Sequence, residues 1–229
     1  MPKLIEFNLT HECDKCNNTG YILDERDPFR NTVIRCECQI TKRIIAQIKN
    51  SGLSSQFVNH TFNAFETKDP FQRNMKNTAL EYLDKIDEID KEYGKHWIVF
   101  SGQYGSGKTF IGEALSGQLV LKGKTFYYLP YVSVIPKLAK DLLNYDTDVK
   151  SQAESDLERI KNVEVLYIDD FLKTLGKNDL IWEIIDYRYK RTDLMTIIST
   201  ELFYDELKRI DGAFASRIYQ RTAYGKYFV

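Results

Sequence analysis

The chain has 229 residues, 43% of them hydrophobic and 28% charged, with 12 glycines and 5 prolines, a globular balance that excludes a disordered protein. Its 32 basic and 33 acidic residues leave a net charge of −1, so no overall basic field announces a nucleic-acid partner. No apolar run approaches the roughly 18 residues needed to cross a bilayer, and Met1-Pro2-Lys3-Leu4-Ile5-Glu6 carries no signal-peptide pattern, so a cytoplasmic protein with no membrane partner is expected.

Cys13, Cys16, Cys36 and Cys38 come first in chain order, as a C-x-x-C and a C-x-C pair. A cytoplasmic chain does not ordinarily keep structural disulfides, and thiolates converging from two knuckles form a tetrahedral soft site suited to Zn²⁺. Between the pairs, Asn17-Asn18-Thr19-Gly20 reads as a turn, and Tyr21-Ile22-Leu23 with Thr32-Val33-Ile34 reads as a hairpin. A thioredoxin-like redox pair would need a βαβ setting that this stretch lacks, an iron–sulfur cluster ordinarily uses other spacings, and unliganded cysteines are the plain alternative. His11 could replace one ligand. Residues 39–50, with Ile40, Ile44, Ile45 and Ile48 at helical spacing, predict a helix that Ser51-Gly52 stops. We therefore divide the chain into a zinc-binding region, residues 1–50, and a larger domain, residues 51–229.

In the larger domain, residues 68–93 predict a helix with Leu80, Leu83, Ile86 and Ile89 on one face, and Trp97-Ile98-Val99-Phe100 predicts a buried strand. The strand runs into Gly102-Gln103-Tyr104-Gly105-Ser106-Gly107-Lys108-Thr109, which fits the phosphate-loop pattern G-x-x-x-x-G-K-[ST] at every position. Glycines let successive N–H groups point inward at phosphate oxygens. Lys108 would neutralise β/γ-phosphate charge, and Thr109 would help hold Mg²⁺. Phe110 opens the helix predicted for residues 110–121, whose N-terminal dipole would add to the anion site.

The alternation continues with a strand at 124–129, a helix at 132–143, a mostly helical or loop stretch at 144–161 and a strand at 163–168 that ends in Asp169-Asp170. Downstream of a phosphate loop, such a pair places one acid beside Mg²⁺ and another near the attacking water, so Asp169 is assigned to the metal and Asp170 to polarising water. A helix at 179–191 and a strand at 194–200 follow; Thr200, or failing that Ser199, is the candidate γ-phosphate sensor, because ligands collect at the carboxyl ends of parallel strands. Helices at 203–210 and 214–221 and a short strand at 224–229 complete an α/β, P-loop NTPase architecture with a parallel sheet of five strands flanked by helices.

With these parts in order, the chain resembles the bacterial and phage helicase loaders of the DnaC/DnaI type, a branch of the AAA+ ATPases that also contains transposition helper ATPases. The resemblance rests on the cysteine knuckle with Thr19-Gly20-Tyr21-Ile22, on Thr61-Phe62, on Phe100 through Thr109, on Leu166-Tyr167-Ile168-Asp169-Asp170, on Ile198-Ser199-Thr200 and on Ala215-Ser216-Arg217-Ile218. It implies that Arg217 is an arginine finger donated to the ATP of a neighbouring subunit, a role suited to a planar, always-charged fork, with Arg221 in support. It further implies ATP, Mg²⁺ and Zn²⁺ as cofactors, a replicative DNA helicase contacted by the N-terminal region, and an ATPase domain that self-associates through the ATP site or binds single-stranded DNA.

Three departures accompany the resemblance. Asp169-Asp170 stands where most AAA+ proteins have Asp-Glu, Thr200 stands where many relatives carry Asn, and the sequence stops at Val229, where no helical lid is expected to follow. Alternative readings are a transposition helper, a nucleotide-gated DNA- or protein-binding module with little turnover, and a small-molecule P-loop kinase. The kinase would need an arginine-rich lid and a substrate-binding insertion, neither evident at residues 144–161.

Overall fold

The structure is a computed structural model that describes residues 13–24, 26, 32–39, 42, 46, 59–89, 94–173 and 179–229. His11, most of the helix expected at 39–50 and the domain boundary placed near residue 50 lie outside the described residues.

In the N-terminal region, β1 (Tyr21–Leu23) and β2 (Val33–Arg35) form an antiparallel hairpin in which Tyr21 pairs with Arg35 and Leu23 with Val33. Asn17 and Asn18 turn the chain into β1 with φ of 45° and 65°, a left-handed pair that asparagine tolerates better than most side chains.

The larger unit starts with α1 (Pro70–Ile89), which buries Met75, Ala79, Tyr82, Leu83 and Ile86, the i, i+4, i+7, i+8, i+11 stripe of one helix face. There follow β3 (Trp97–Ser101), α2 (Lys108–Leu121), β4 (Phe126–Pro130), α3 (Tyr131–Leu142), α4 (Thr147–Asn162), β5 (Val165–Asp169), α5 (Asp179–Lys190), β6 (Met195–Thr200), α6 (Tyr204–Ile210) and α7 (Gly212–Arg221). Asp146 caps α4 by accepting from the N–H groups of Asp148 and Val149, and Asp211 caps α7 through Phe214 N–H.

The four strands of the larger unit lie parallel in the order β3-β6-β5-β4. Every residue of β3, β5 and β6 is buried, which is why these segments read as unbroken apolar runs instead of alternating ones. Alternation decides which layer each residue joins. Ile98 and Phe100 pack with α1 and α2 on one face, whereas Trp97 and Val99 pack with α3, α4, α5 and α7 on the other.

The fifth strand expected at 224–229 is present in reduced form. Val99 N–H donates to Tyr227 O at 2.9 Å, Val229 N–H to Val99 O at 2.9 Å, and Val99 bridges Phe228 in parallel beside β3. Positive φ at Ala223, Tyr224 and Gly225 uses the start of this segment for a turn, leaving only its last residues extended. Behind the sheet, Arg188 is fully buried and donates to the carbonyls of Ile160, Lys161, Val163, Glu164 and Met195 and to Thr196 Oγ1 at 2.5–3.5 Å, tying the end of α4 to β5 and β6.

Candidate functional site

The parallel order brings the carboxyl ends of β3, β5 and β6 together, and the chemistry-bearing residues collect there. The loop after β3 closes on α2 through Gly107, whose φ is +94° and whose added Cβ would come within 2.6 Å of Phe65 Cε2. Gly102 meets a similar limit, since a Cβ there would lie 2.8 Å from Phe71 Cζ. Gln72 Nε2 donates to Ser106 O at 3.3 Å. The segment before β3 thus walls the loop with Phe65, Phe71 and Gln72, none of which a local motif singles out. Phe110 faces the same segment, with its ring 4.2 Å from that of His60 and 5.2 Å from that of Phe65.

Lys108, buried at the start of α2, donates to Gly102 O and Gln103 O at 2.8 Å each and to Ser106 Oγ at 3.4 Å. Burial lowers its pKa, while the charges of Glu201, Asp170 and Asp169 act against that and Lys173 adds to it. Asp169 lies within a ring of hydroxyls. Thr109 Oγ1 donates to its Oδ1 at 3.0 Å, Tyr167 OH to Oδ1 at 2.8 Å and Tyr128 OH to Oδ2 at 2.9 Å, and Ser199 Oγ also donates to Oδ1. Burial, followed by the Asp169 charge, drives both phenols well above the ordinary tyrosine range, so both remain donors.

Asp170, next along, has φ of 54° and donates its N–H to Ser199 Oγ at 3.2 Å, while its Oδ2 meets Lys173 Nζ at 3.0 Å. Thr200 is fully buried; its hydroxyl donates to Phe171 O at 2.9 Å and accepts from Leu202 N–H at 3.1 Å, while its carbonyl accepts from Gly102 N–H at 3.2 Å. Both candidate sensor hydroxyls are therefore engaged: Ser199 orients Asp169, and Thr200 joins the end of β6 to Phe171 and the loop. Sequence reasoning missed Glu201, the carboxylate whose charge acts most strongly on Lys108. Its signal in the sequence is a lone acid directly after a buried strand.

Arg217 stands apart from this group. It is on α7, its side chain 40% exposed, with Nη1 3.1 Å from Asp186 Oδ1 and its guanidinium over the Tyr189 ring. Arg221, one turn on, is buried and donates to Gly94 O at 2.7 Å and to Tyr189 O, which places it in the framework.

In the N-terminal region, the four sulfurs lie within 4.8 Å of one another, with Cys13 3.6 Å from Cys36 and Cys16 3.4 Å from Cys38, and no disulfide joins them. A tetrahedron with metal–sulfur bonds of about 2.3 Å has sulfurs roughly 3.8 Å apart, so the set fits Zn²⁺. Gly20 N–H donates to Cys16 Sγ at 3.3 Å. Burial opposes the Cys16 thiolate, but that bond and the neighbouring thiols lower its pKa to about 6; burial and the bond with Cys16 push Cys38 up to about 12. A hairpin rather than a βαβ unit links the pairs, which leaves the redox reading without its setting.

The loop residues fit a triphosphate by the same standard: a glycine cradle that a Cβ would fill, a buried lysine, and a hydroxyl joined to a carboxylate. No described helix is long and apolar enough to cross a membrane.

Comparison with known proteins agrees with this geometry. The chain is 31% identical over 209 residues to YqaM of Bacillus subtilis strain 168, a protein without assigned function, covering 86% of this chain and 64% of YqaM. It is 25% identical over 141 residues to the replicative helicase loader DnaC of Escherichia coli K12, covering 60% of this chain and 54% of DnaC, so it spans little more than half of that relative. Among solved structures, the crystal structure of DnaI superposes with a TM-score of 0.59 at 19% identity over 78% of this chain and 94% of that one, which shows a shared AAA+ P-loop fold. The model of the IstB-like ATP-binding proteins matches residues 39–223, most of the chain and the whole of the site around Lys108 and Asp169, and the protein belongs to that family of ATP-binding proteins.

Proposed function

We propose that the protein is an ATPase that loads a replicative helicase onto single-stranded DNA. The observation that carries this reading is the Thr109–Asp169 hydrogen bond, which couples the phosphate loop to the acid pair at the end of β5. Family membership and the four-thiol knuckle ahead of the ATPase domain support it.

Mg·ATP, when bound, supplies the phosphoanhydride and its electrophilic phosphorus. Lys108 would exchange the carbonyls of Gly102 and Gln103 for phosphate oxygens. Thr109 and Asp169 would hold the metal's ligand shell, and Asp170 would orient water once Lys173 releases it. Arg217 would serve a neighbouring subunit, its exposed guanidinium exchanging Asp186 for phosphate across the interface. The cysteine set would hold structural zinc and keep the helicase-contacting region folded.

The second reading is a transposition helper, which shares the ATP-binding site and is opposed by the knuckle. A pull-down of a purified replicative helicase with and without ATP separates the two. ATP-dependent retention of helicase is the expected result; no retention with or without ATP would move the assignment to the transposition helper.

A further inference from the structure

The mouth of the phosphate loop has three sides: the end of β5, the end of β6 and the tip of the loop itself. Lys173 reaches all three. Its Nζ is 3.0 Å from Asp170 Oδ2 after β5, 3.6 Å from Glu201 Oε1 after β6 and 5.4 Å from the ring centre of Tyr104, a loop residue that is 85% exposed. A cation placed this way bridges the ends of β5 and β6 beside the tip of the loop.

Charge balance gives the position a consequence. Lys108 is surrounded by the charges of Glu201, Asp170 and Asp169, three acids at the end of the sheet where the terminal phosphate of a triphosphate must arrive. That phosphate brings further negative charge, and one lysine with one Mg²⁺ does not offset both it and three carboxylates. A diphosphate stops short and leaves Asp170 and Glu201 to Lys173. Lys173 leaves those two acids only for an anion of higher charge density, and a terminal phosphate carries about two negative charges on three acceptor oxygens where each carboxylate carries one.

We propose that Lys173 is a specificity-determining residue that contacts the terminal phosphate and makes the site prefer ATP to ADP, exchanging Asp170 and Glu201 for the phosphate and thereby freeing Asp170. This rests on the nucleotide reading of the site above. The exchange is non-covalent and moves no proton. In a purely structural role, Lys173 would cross-link the ends of β5 and β6, and its loss would weaken binding of the two nucleotides alike.

Calorimetric titration of the full chain with Mg·ATP and with Mg·ADP distinguishes these roles. The wild type is expected to bind both, and Lys173→Met is expected to lower the ATP:ADP affinity ratio about tenfold with ADP affinity held. Lys173→Arg should restore most of the ratio, and Lys108→Ala should lose both nucleotides. An unchanged ratio in Lys173→Met, or an equal loss of ATP and ADP, overturns the proposal while leaving the nucleotide site intact. If the wild type binds neither nucleotide, the nucleotide reading fails and the Lys173 assignment with it.

Discussion

Thr109, the second residue of α2, and Asp169, the last of β5, are joined by a 3.0 Å hydrogen bond across 60 positions of sequence. Parallel pairing of β5 with β6 and of β6 with β3 brings them together, since it sets all three carboxyl ends at one edge of the sheet. A fold-level rule about where parallel strands end thus becomes a specific contact between the hydroxyl and the carboxylate proposed to hold Mg²⁺.

The same carboxylate is held by phenols. Tyr128→Phe removes the donor to Asp169 Oδ2 and leaves the aromatic packing in place. The expected result is a rise of roughly tenfold to a hundredfold in the Mg²⁺ concentration for half-maximal ATP hydrolysis, the size of one lost hydrogen bond to a charged metal ligand. Saturating Mg²⁺ should restore the rate. A Mg²⁺ titration at fixed ATP checks this.

Arg217→Ala loses the contact with Asp186 on the surface of α7 and nothing in the subunit's own phosphate site. ATP affinity should be unchanged, with hydrolysis falling by a factor of about 10³ in assemblies. Activity measured across protein concentration, with and without helicase, tests the trans assignment. Wild-type behaviour throughout would return Arg217 to a surface ion pair.

Arg188→Met leaves the carbonyls of Ile160, Lys161, Val163, Glu164 and Met195 without their shared donor. Burial draws the guanidinium pKa down to about 9, a sign of how far it has been taken from water. The variant should lose about 3 kcal/mol of stability in urea titration. Arg188→Lys should recover only part of this, since an ammonium cannot reproduce the planar fork.

His96 gives the fold an acid-sensitive point. Burial, followed by the charges of Arg221 and Arg188, lowers its pKa from 6.5 to about 4. The unfolded chain therefore binds the extra proton first. Stability is full above the unfolded value and falls as pH drops from 6.5 towards 4, by about 3 kcal/mol from this group. His96→Leu should flatten that part of the pH dependence of Tm.

Cys36→Ser should reduce zinc content below one per chain and loosen the hairpin, because loss of the metal removes the tie between the two cysteine pairs and leaves the Cys36 N–H to Gly20 O bond of 2.8 Å, which serine keeps, to hold that end alone. Elemental analysis after gel filtration reads the first effect and amide exchange at Gly20 and Tyr21 the second. Purified wild type carrying neither zinc nor iron would remove the metal assignment.

Much of this architecture was legible from local pattern. The loop motif, the strand ending in Asp169-Asp170 and the two cysteine pairs are short, contiguous signals, and the structure sets the first two side by side. What the sequence hid depends on pairing across distance. Tyr128 and Tyr167 look like ordinary strand residues until the sheet turns their hydroxyls onto Asp169. Phe65 and Phe71 read as core until they meet the glycines of the loop. Thr200 is the instructive case, because its position was legible but its hydroxyl's use was not: the chain turning at Phe171 takes it, and the next residue, Glu201, presents its charge to Lys108. The last strand shortened because residues 223–225 were needed for a turn, a cost in φ that apolar periodicity does not register.

The central claim is tested most directly by loading a purified replicative helicase onto circular single-stranded DNA in the presence of this protein and scoring DNA-bound helicase after gel filtration. The account predicts that wild-type protein with Mg·ATP increases DNA-bound helicase and that Lys108→Ala does not. Equal loading with wild type, with Lys108→Ala and with no added protein would contradict it.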